Sequence, residues 1–211
     1  MSRFAPLERE GLADALERLG PDQPTLCEGW LTADMAAHLV VRERQPVAAL
    51  GIVFKPLAGY NERQQRALRD STAYDELTRL FRAGPPAYSP MKLSPLDEAT
   101  NAVEYFVHHE DVRRAQPGWA PRELDPDFED ALWTRLRRGA RLMLRHAPVG
   151  VVFERPDGAQ AVGKRGEPHV TVRGKPSELT LLAFGRGDHA RVDYDGDPAD
   201  VARLRSASFG I

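Results

Sequence analysis

The sequence predicts a two-domain α+β protein, with an all-helical bundle over 1–147 followed by a small α+β domain over 150–211. Up to His146, apolar residues recur three and four apart, the period of helices that bury one face. After Pro148 the pattern changes to the short β-branched runs VVFER and HVTVRG, with the turn signal PDG after the first. The length, 211 residues, suffices for two cores, although the second domain, about 60 residues long, would be marginal alone.

Each element has its own warrant. Leu7, Leu12, Ala15, Leu16 and Leu19 keep helical spacing until Gly20-Pro21, which places the first helix over Phe4 to Leu19. The loop PDQPTLCEGW follows. Thr32 is the expected N-cap of the second helix, Asp34 suits its first turn, and Pro46 is a kink or stop before its end near Ala49. GIVFKPLAGY reads as a connection. Asn61 to Ala83 is a third helical segment, breakable near Asp70-Ser71, with Leu68, Leu77, Leu80 and Phe81 as its buried positions. Tyr88 to Leu93 is a loop. Ser94-Pro95-Leu96-Asp97 supplies a cap, a proline at the first helical position and an acid at the third for a fourth helix that ends at Gln116-Pro117-Gly118. Asp125-Pro126 opens a helix that carries Phe128, Leu132, Leu136, Ala140, Met143 and Leu144 to His146. Beyond it, PSELTLLAFGR is a short helix, RVDYDG a strand, and Pro198 to Arg205 a last helix capped by Asp197.

Composition narrows the classes of function. With 29 basic and 31 acidic residues the net charge is −2, so no global basic field draws the chain to nucleic acid or an anionic membrane. The single cysteine, Cys27, cannot form an internal disulfide, the start MSRFAPLEREG carries no apolar targeting core, and no run approaches the ~18 apolar residues of a membrane span. A reducing cytoplasm is the expected compartment.

The stretch NAVEYFVHHEDVRRA, Asn101 to Ala115, sets Glu104, Tyr105, His108, His109, Glu110 and Asp111 on two turns of a helix that also has an apolar stripe of Leu96, Ala99, Thr100, Val103 and Val107. Glu104 and His108, four apart, lie one above the other at the edge of that stripe and point obliquely inward. His38 is the best third partner, because Met35, Ala36, Leu39 and Val40 form an apolar face that brings it along. Two histidines and a carboxylate compose a divalent-metal site with one open position, the makeup of catalytic zinc sites. The residues admit other readings: Glu104 and His108 as a solvated ion pair, His38 as a satisfied core histidine, and His109 or Asp111 as rival ligands. Asp111 can equally be an acceptor that fixes the His108 tautomer.

Other chemistries lack their motifs. There is no H-E-x-x-H, no phosphate-binding glycine loop and no nucleophile elbow. Cys27 has only Glu28 nearby in sequence to tune it as a nucleophile and reads equally as a small residue packed beside Trp30. The arginines 135, 137, 138, 141 and 145 spread around their helix as a solvated face. Gly185-Arg186-Gly187 is first of all a helix C-cap.

The order of these parts resembles the DinB-like family of mycothiol-dependent metalloproteins, whose best-known type is mycothiol-dependent maleylpyruvate isomerase. The resemblance rests on Cys-x-Gly-Trp leading into Ala-Ala-His-Leu, then Glu-x-x-x-His followed by Val-Arg-Arg-Ala. The C-terminal V-x-G-x-P-S-E-L-T-L-L-A-F-G-R with Gly-Asp-Pro-Ala is similar to a sterol-carrier-like α+β domain. The resemblance implies a DinB-like four-helix bundle with a metal on His38, Glu104 and His108. It implies zinc first, with nickel, iron or manganese also suited to the ligands. It further implies mycothiol or another low-molecular-weight thiol as cofactor, an electrophilic substrate, and Arg186 steadying that substrate's negative charge. The corresponding activities are a thiol-dependent isomerase or S-transferase, a non-catalytic module that binds metal or a thiol conjugate, or, with no metal at all, a structural bundle around a buried polar cluster.

Overall fold

The computed structural model describes residues 4–45, 58–86 and 94–207, with the side chains of 58 and 94–100 excepted. Its architecture is α+β, with eight α-helices and one four-stranded sheet among the described residues. The chain forms two compact units, Met1–Ala120 and Pro121–Ile211.

The first unit is helical: α1 (Phe4–Leu19), α2 (Thr32–Arg44), α3 (Ala58–Ser71), α4 (Tyr74–Arg82) and α5 (Ser94–Arg114). α1 packs chiefly on α5 and α4, and α2 on α3 and α4. Leu12 and Leu16 of α1, Met35 and Leu39 of α2, Leu77 and Phe81 of α4, and Phe106 of α5 are fully buried and supply its apolar core. α1 stops where expected. Gly20 takes φ +77 and donates its amide to Leu16, 3.0 Å away, the left-handed ending that glycine adopts without strain. The expected third segment is two helices, broken at Thr72-Ala73. Arg44, in the last turn of α2, donates 2.9 Å bonds to the carbonyls of Leu80 and Gly84 and so satisfies the frayed end of α4.

Thr32 is not the cap of α2. Its hydroxyl is diverted into the preceding loop, donating to Gly20 O at 2.5 Å and accepting from Gln23 N at 3.2 Å, so Leu31 stands at the cap and Asp34 accepts its amide at 3.0 Å. Pro46, Ala49, most of the connection after Gly51 and the Tyr88 to Leu93 loop lie outside the described residues. So do the side chains of Ser94, Pro95, Leu96, Asp97, Ala99 and Thr100, on which the expected cap and part of the apolar stripe depend.

The second unit holds α6 (Pro126–Met143), β1 (Gly150–Glu154), β2 (Gln160–Lys164), β3 (His169–Arg173), α7 (Pro176–Ala183), β4 (Asp193–Asp195) and α8 (Pro198–Arg205). The sheet order is β2-β1-β3-β4, with β1 and β3 parallel and both outer pairs antiparallel. Asp125 caps α6 through Asp127 N at 2.9 Å and Asp197 caps α8 through Ala199 N at 2.8 Å, each ahead of a proline at the first helical position. Strand alternation sends Val151, Phe153, Val170 and Val172 to one face, where Trp133, Leu136, Ala140 and Leu144 cover them. That packing explains why α6 belongs to this unit. The expected boundary at 147–150 falls inside the unit, between a helix and the sheet it covers, because a helical period cannot say which core a helix faces.

Two glycines yield predictions of opposite sign. A Cβ on Gly150 would collide with the carbonyl oxygen of Gly166 and stand 2.9 Å from His169 Cβ, neither of which can swing aside. Gly150→Ala should lower stability by about 1–3 kcal/mol or more. Gly139, inside α6, has nothing nearer than Met143 Sδ at 3.9 Å, so Gly139→Ala should add about 0.5–1 kcal/mol. Urea unfolding of both variants tests the pair, and equal midpoints would refute it.

Candidate metal centre

The centre is built from two facing helices and one loop of the first unit. On α2, His38 and Arg42 are four residues apart; on α5, Glu104 and His108 are as well, so each pair projects from one helical face. The pairs meet antiparallel. The rings of His38 and His108 have centroids 5.1 Å apart at 75°, and Arg42 Nε lies 4.0 Å from Glu104 Oε2. His108 Nε2 is 3.4 Å from the same Glu104 oxygen. Behind it, His108 Nδ1 is 3.0 Å from Asp111 Oδ2.

The loop between α1 and α2 closes the site. Leu26 N donates to the main-chain carbonyl of Asp111 at 3.0 Å, Trp30 N to Cys27 O at 2.9 Å, and Cys27 N to Thr25 Oγ1 at 3.2 Å. Gly29 turns at φ +74. The turn thereby delivers two side chains. Cys27 Sγ donates to Asp111 Oδ2 at 3.3 Å, and Trp30 leans on His38 with centroids 5.1 Å apart. On the other side Gln65 Nε2 of α3 is 3.0 Å from His38 Nδ1. Trp30 and Gln65 also line an open cavity of about 300 Å³ with Gly29, Asp34, Glu62, Arg66 and Arg69.

Burial and charge divide the two histidines. Burial, helped by His108 and Arg42, pushes the His38 imidazole down to about 3, so it is neutral. Burial also opposes charge on His108, but hydrogen bonds with Asp111, Cys27 and Glu104 outweigh it and hold His108 well above the ordinary range. For Glu104, burial pushes up while the His108 bond and the charges of Arg42, His108 and His38 pull further down, to about 2. The cluster keeps one proton, on His108, beside two carboxylates and a neutral His38.

His38, Glu104 and His108 are thus brought together, and Asp111 stands behind His108. His109 is turned away to α1, where Nδ1 is 3.0 Å from Glu8 Oε2 and its ring fills the space that a side chain at Gly11 would occupy. Arg186 lies in the second unit, its Nη1 donating to Phe184 O at 2.5 Å. Cys27, Arg42, Trp30 and Gln65 are the neighbours that sequence reasoning missed. Arg42 had a signal, four residues after His38; Cys27 and Trp30 had theirs in the Cys-x-Gly-Trp motif, but their partners at the centre are set by the long-range bond from Leu26 to Asp111.

The His38 and His108 centroids are 5.1 Å apart and Glu104 Oε2 is 3.4 Å from His108 Nε2, near the spacings of about 5 Å between imidazoles and about 3.3 Å between adjacent donors around a tetrahedral ion. Among the described residues, the ligand atoms that all lie within 4.8 Å of one another are those of Cys27, His108 and Asp111.

No protein-family model matches the chain, and no curated protein sequence matches it. Two solved structures do. A crystal structure of the mycothiol-dependent maleylpyruvate isomerase aligns with TM-score 0.61 at 16% identity, over 91% of this chain and 90% of that one. A histidine-to-alanine variant of the same protein aligns with TM-score 0.61 at 15% identity and the same coverage. The chain therefore shares the fold of that isomerase.

In metal-free protein, an NMR pH titration should find His38 still neutral well below 6.5 and His108 still protonated above it. Because His38 is depressed when folded, its effect on stability is complete at neutral pH and worsens as pH falls from 6.5 toward about 3. His108 has the opposite sign, stabilising below 6.5 and losing that contribution as pH rises through its own raised value. Asp111→Asn should return His108 toward the ordinary range. A His38 midpoint near 6.5 would contradict the assignment.

Proposed function

We propose that the protein holds one divalent cation on His38, Glu104 and His108 and uses the open position to bind a low-molecular-weight thiol for isomerisation of, or S-transfer to, an electrophilic substrate. The observation that supports this reading is the 5.1 Å spacing of the His38 and His108 rings, with the Glu104 carboxylate 3.4 Å from His108 Nε2. Zinc is the preferred ion, and nickel, iron and manganese also suit two nitrogens and an oxygen. The name of the structural neighbours makes mycothiol the first thiol to test.

The ion, when bound, would supply a Lewis acid that lowers the pKa of a thiol enough to hold it as thiolate at neutral pH. The chain's own residues prepare that position. Asp111, accepting from His108 Nδ1, fixes the tautomer that presents Nε2. Arg42, 4.0 Å from the Glu104 oxygen that also faces His108, helps keep that carboxylate ionised. Gln65 must present its oxygen to His38 Nδ1–H for Nε2 to ligate, a half-turn of the side-chain amide. Trp30 walls off the outer face of His38 and leads to the cavity beyond. In this reading the second unit is a sterol-carrier-like domain and Arg186 steadies the charge of an anionic substrate. The protein works in the cytoplasm; no helix among the described residues is long and apolar enough to cross a membrane.

Elemental analysis of protein made without a metal-affinity tag should show near-stoichiometric metal. His38→Ala and His108→Ala should abolish it, and His109→Ala should keep it although the loss of a buried partner for Glu8 lowers stability. Protein that stays empty after incubation with Zn²⁺, Ni²⁺ and Mn²⁺ would end the metal reading. Where the ion is present at a hundredfold excess over Kd, it should stabilise the fold by about 2.7 kcal/mol, so chelation lowers the Tm of the wild type and leaves His38→Ala unmoved. Equal shifts would place the chelator's action elsewhere.

Turnover of a panel of electrophiles with mycothiol present and absent tests the enzyme. Metal and thiol binding without turnover would leave a binding module that holds metal or a thiol conjugate.

A further inference from the structure

His108 has a second edge. Its Nε2 faces Glu104, but Nδ1 faces Asp111 Oδ2 at 3.0 Å, and Cys27 Sγ lies 3.3 Å from that same oxygen. The three donor atoms, sulfur, nitrogen and oxygen, all lie within 4.8 Å of one another. We propose that Cys27, His108 through Nδ1 and Asp111 form a second cation site, on the opposite edge of the imidazole that the first site uses and selective for soft divalent ions such as Zn²⁺ and Cd²⁺.

Geometry, chemistry and rigidity each support the site. Donors around a four-coordinate ion bound at about 2.0–2.3 Å sit about 3.3–3.8 Å apart, so two of the three separations already lie near the bound values. The third side, sulfur to nitrogen, is no longer than 4.8 Å. One thiol sulfur, one imidazole and one carboxylate choose zinc-like ions over Mg²⁺ and Ca²⁺, which take oxygen shells. His108 and Asp111 sit three apart on α5 and are buried, while Cys27 is only partly buried and leaves an approach from its side. The loop is held against α5 by the Leu26 amide on the Asp111 carbonyl, so the sulfur arrives from a fixed backbone. On binding, the thiol proton and the Nδ1 proton pass to solvent as the sulfur–metal and nitrogen–metal bonds form, and Asp111 changes from acceptor to ligand.

The inference does not depend on the first site being filled, and one experiment reads the two apart. Full-length protein is stripped of metal and titrated with Co²⁺ in buffer free of thiols and thiol reductants. Cys27 is the only cysteine in the chain, so a sulfur-to-cobalt charge-transfer band has no other protein source. The wild type should show the band. His38→Ala, which removes a ligand of the first site only, should keep it; Cys27→Ser, which retains a hydrogen-bond donor for Asp111, should lose it entirely while still binding cobalt at the first site. Asp111→Asn should weaken the ion that gives the band at least tenfold, with circular dichroism confirming the fold. A wild type that binds cobalt without the band overturns the proposal. A band lost in both His38→Ala and Cys27→Ser overturns it too, because the sulfur then joins the first ion. Failure of the first site alone shows as a band in His38→Ala and the wild type with no cobalt retained by Cys27→Ser.

Discussion

Asp111 is a fully buried carboxylate, and the arrangement of the first unit around it follows from the need to satisfy it. Its side chain meets His108 Nδ1 and the Cys27 thiol, and its carbonyl accepts the amide of Leu26. An isolated carboxylate at such depth would neutralise or force the structure open, since removing one partner of a buried charge pair typically costs about 3–5 kcal/mol. Protonated His108 is the main counter-charge. The same contact therefore anchors the loop between α1 and α2, orients the imidazole and sets where the proton of the cluster resides.

The same logic repeats one turn and more away on α5. From Tyr105 to Val112 the helix is buried on every side, so its polar groups must find protein partners. Tyr105 donates to Glu43 Oε1 at 2.5 Å and accepts from Arg9 at 2.7 Å, which also reaches Glu43, so one three-residue cluster joins α1, α2 and α5. Burial pushes the Glu43 carboxyl up, and Arg9 opposes it. Glu110 is shared by Arg113 and Arg114 within the helix. Buried ion pairs of this kind are poor sources of net stability, because desolvation offsets attraction. Their effect is register: sliding α2 by a residue would strand Glu43 and take His38 from His108.

The sequence revealed what local chemistry decides. The extent of α1, the caps at Asp125 and Asp197, the end of α5 and the change from helical to strand periodicity all follow from residues within a few positions of one another. His38 and His108 were legible because helical periodicity carries a polar side chain along with its apolar neighbours. What was hidden depends on distance. Thr32 looks like a cap in sequence because nothing near it shows that its hydroxyl is engaged by Gly20 O and Gln23 N. Cys27 looked isolated because its partner is 84 residues away. The helix Pro126–Met143 was grouped with the bundle because its apolar stripe matches either core, and only the packing of Trp133 and Leu144 on the sheet decides between them.

Two carboxylates, Glu104 and Asp111, flank the His108 imidazole on its two edges; Glu104, partly buried, also has Arg42 at 4.0 Å, whereas Asp111 is fully buried against Nδ1. Protonation supplies one charge shared between them, while His38, next to that charge and to Arg42, stays neutral and keeps a lone pair. Arg42 and the His108 proton thus supply the positive charge that the two carboxylates of the cluster need, from the Nε2 edge for Glu104 and from the Nδ1 edge for Asp111.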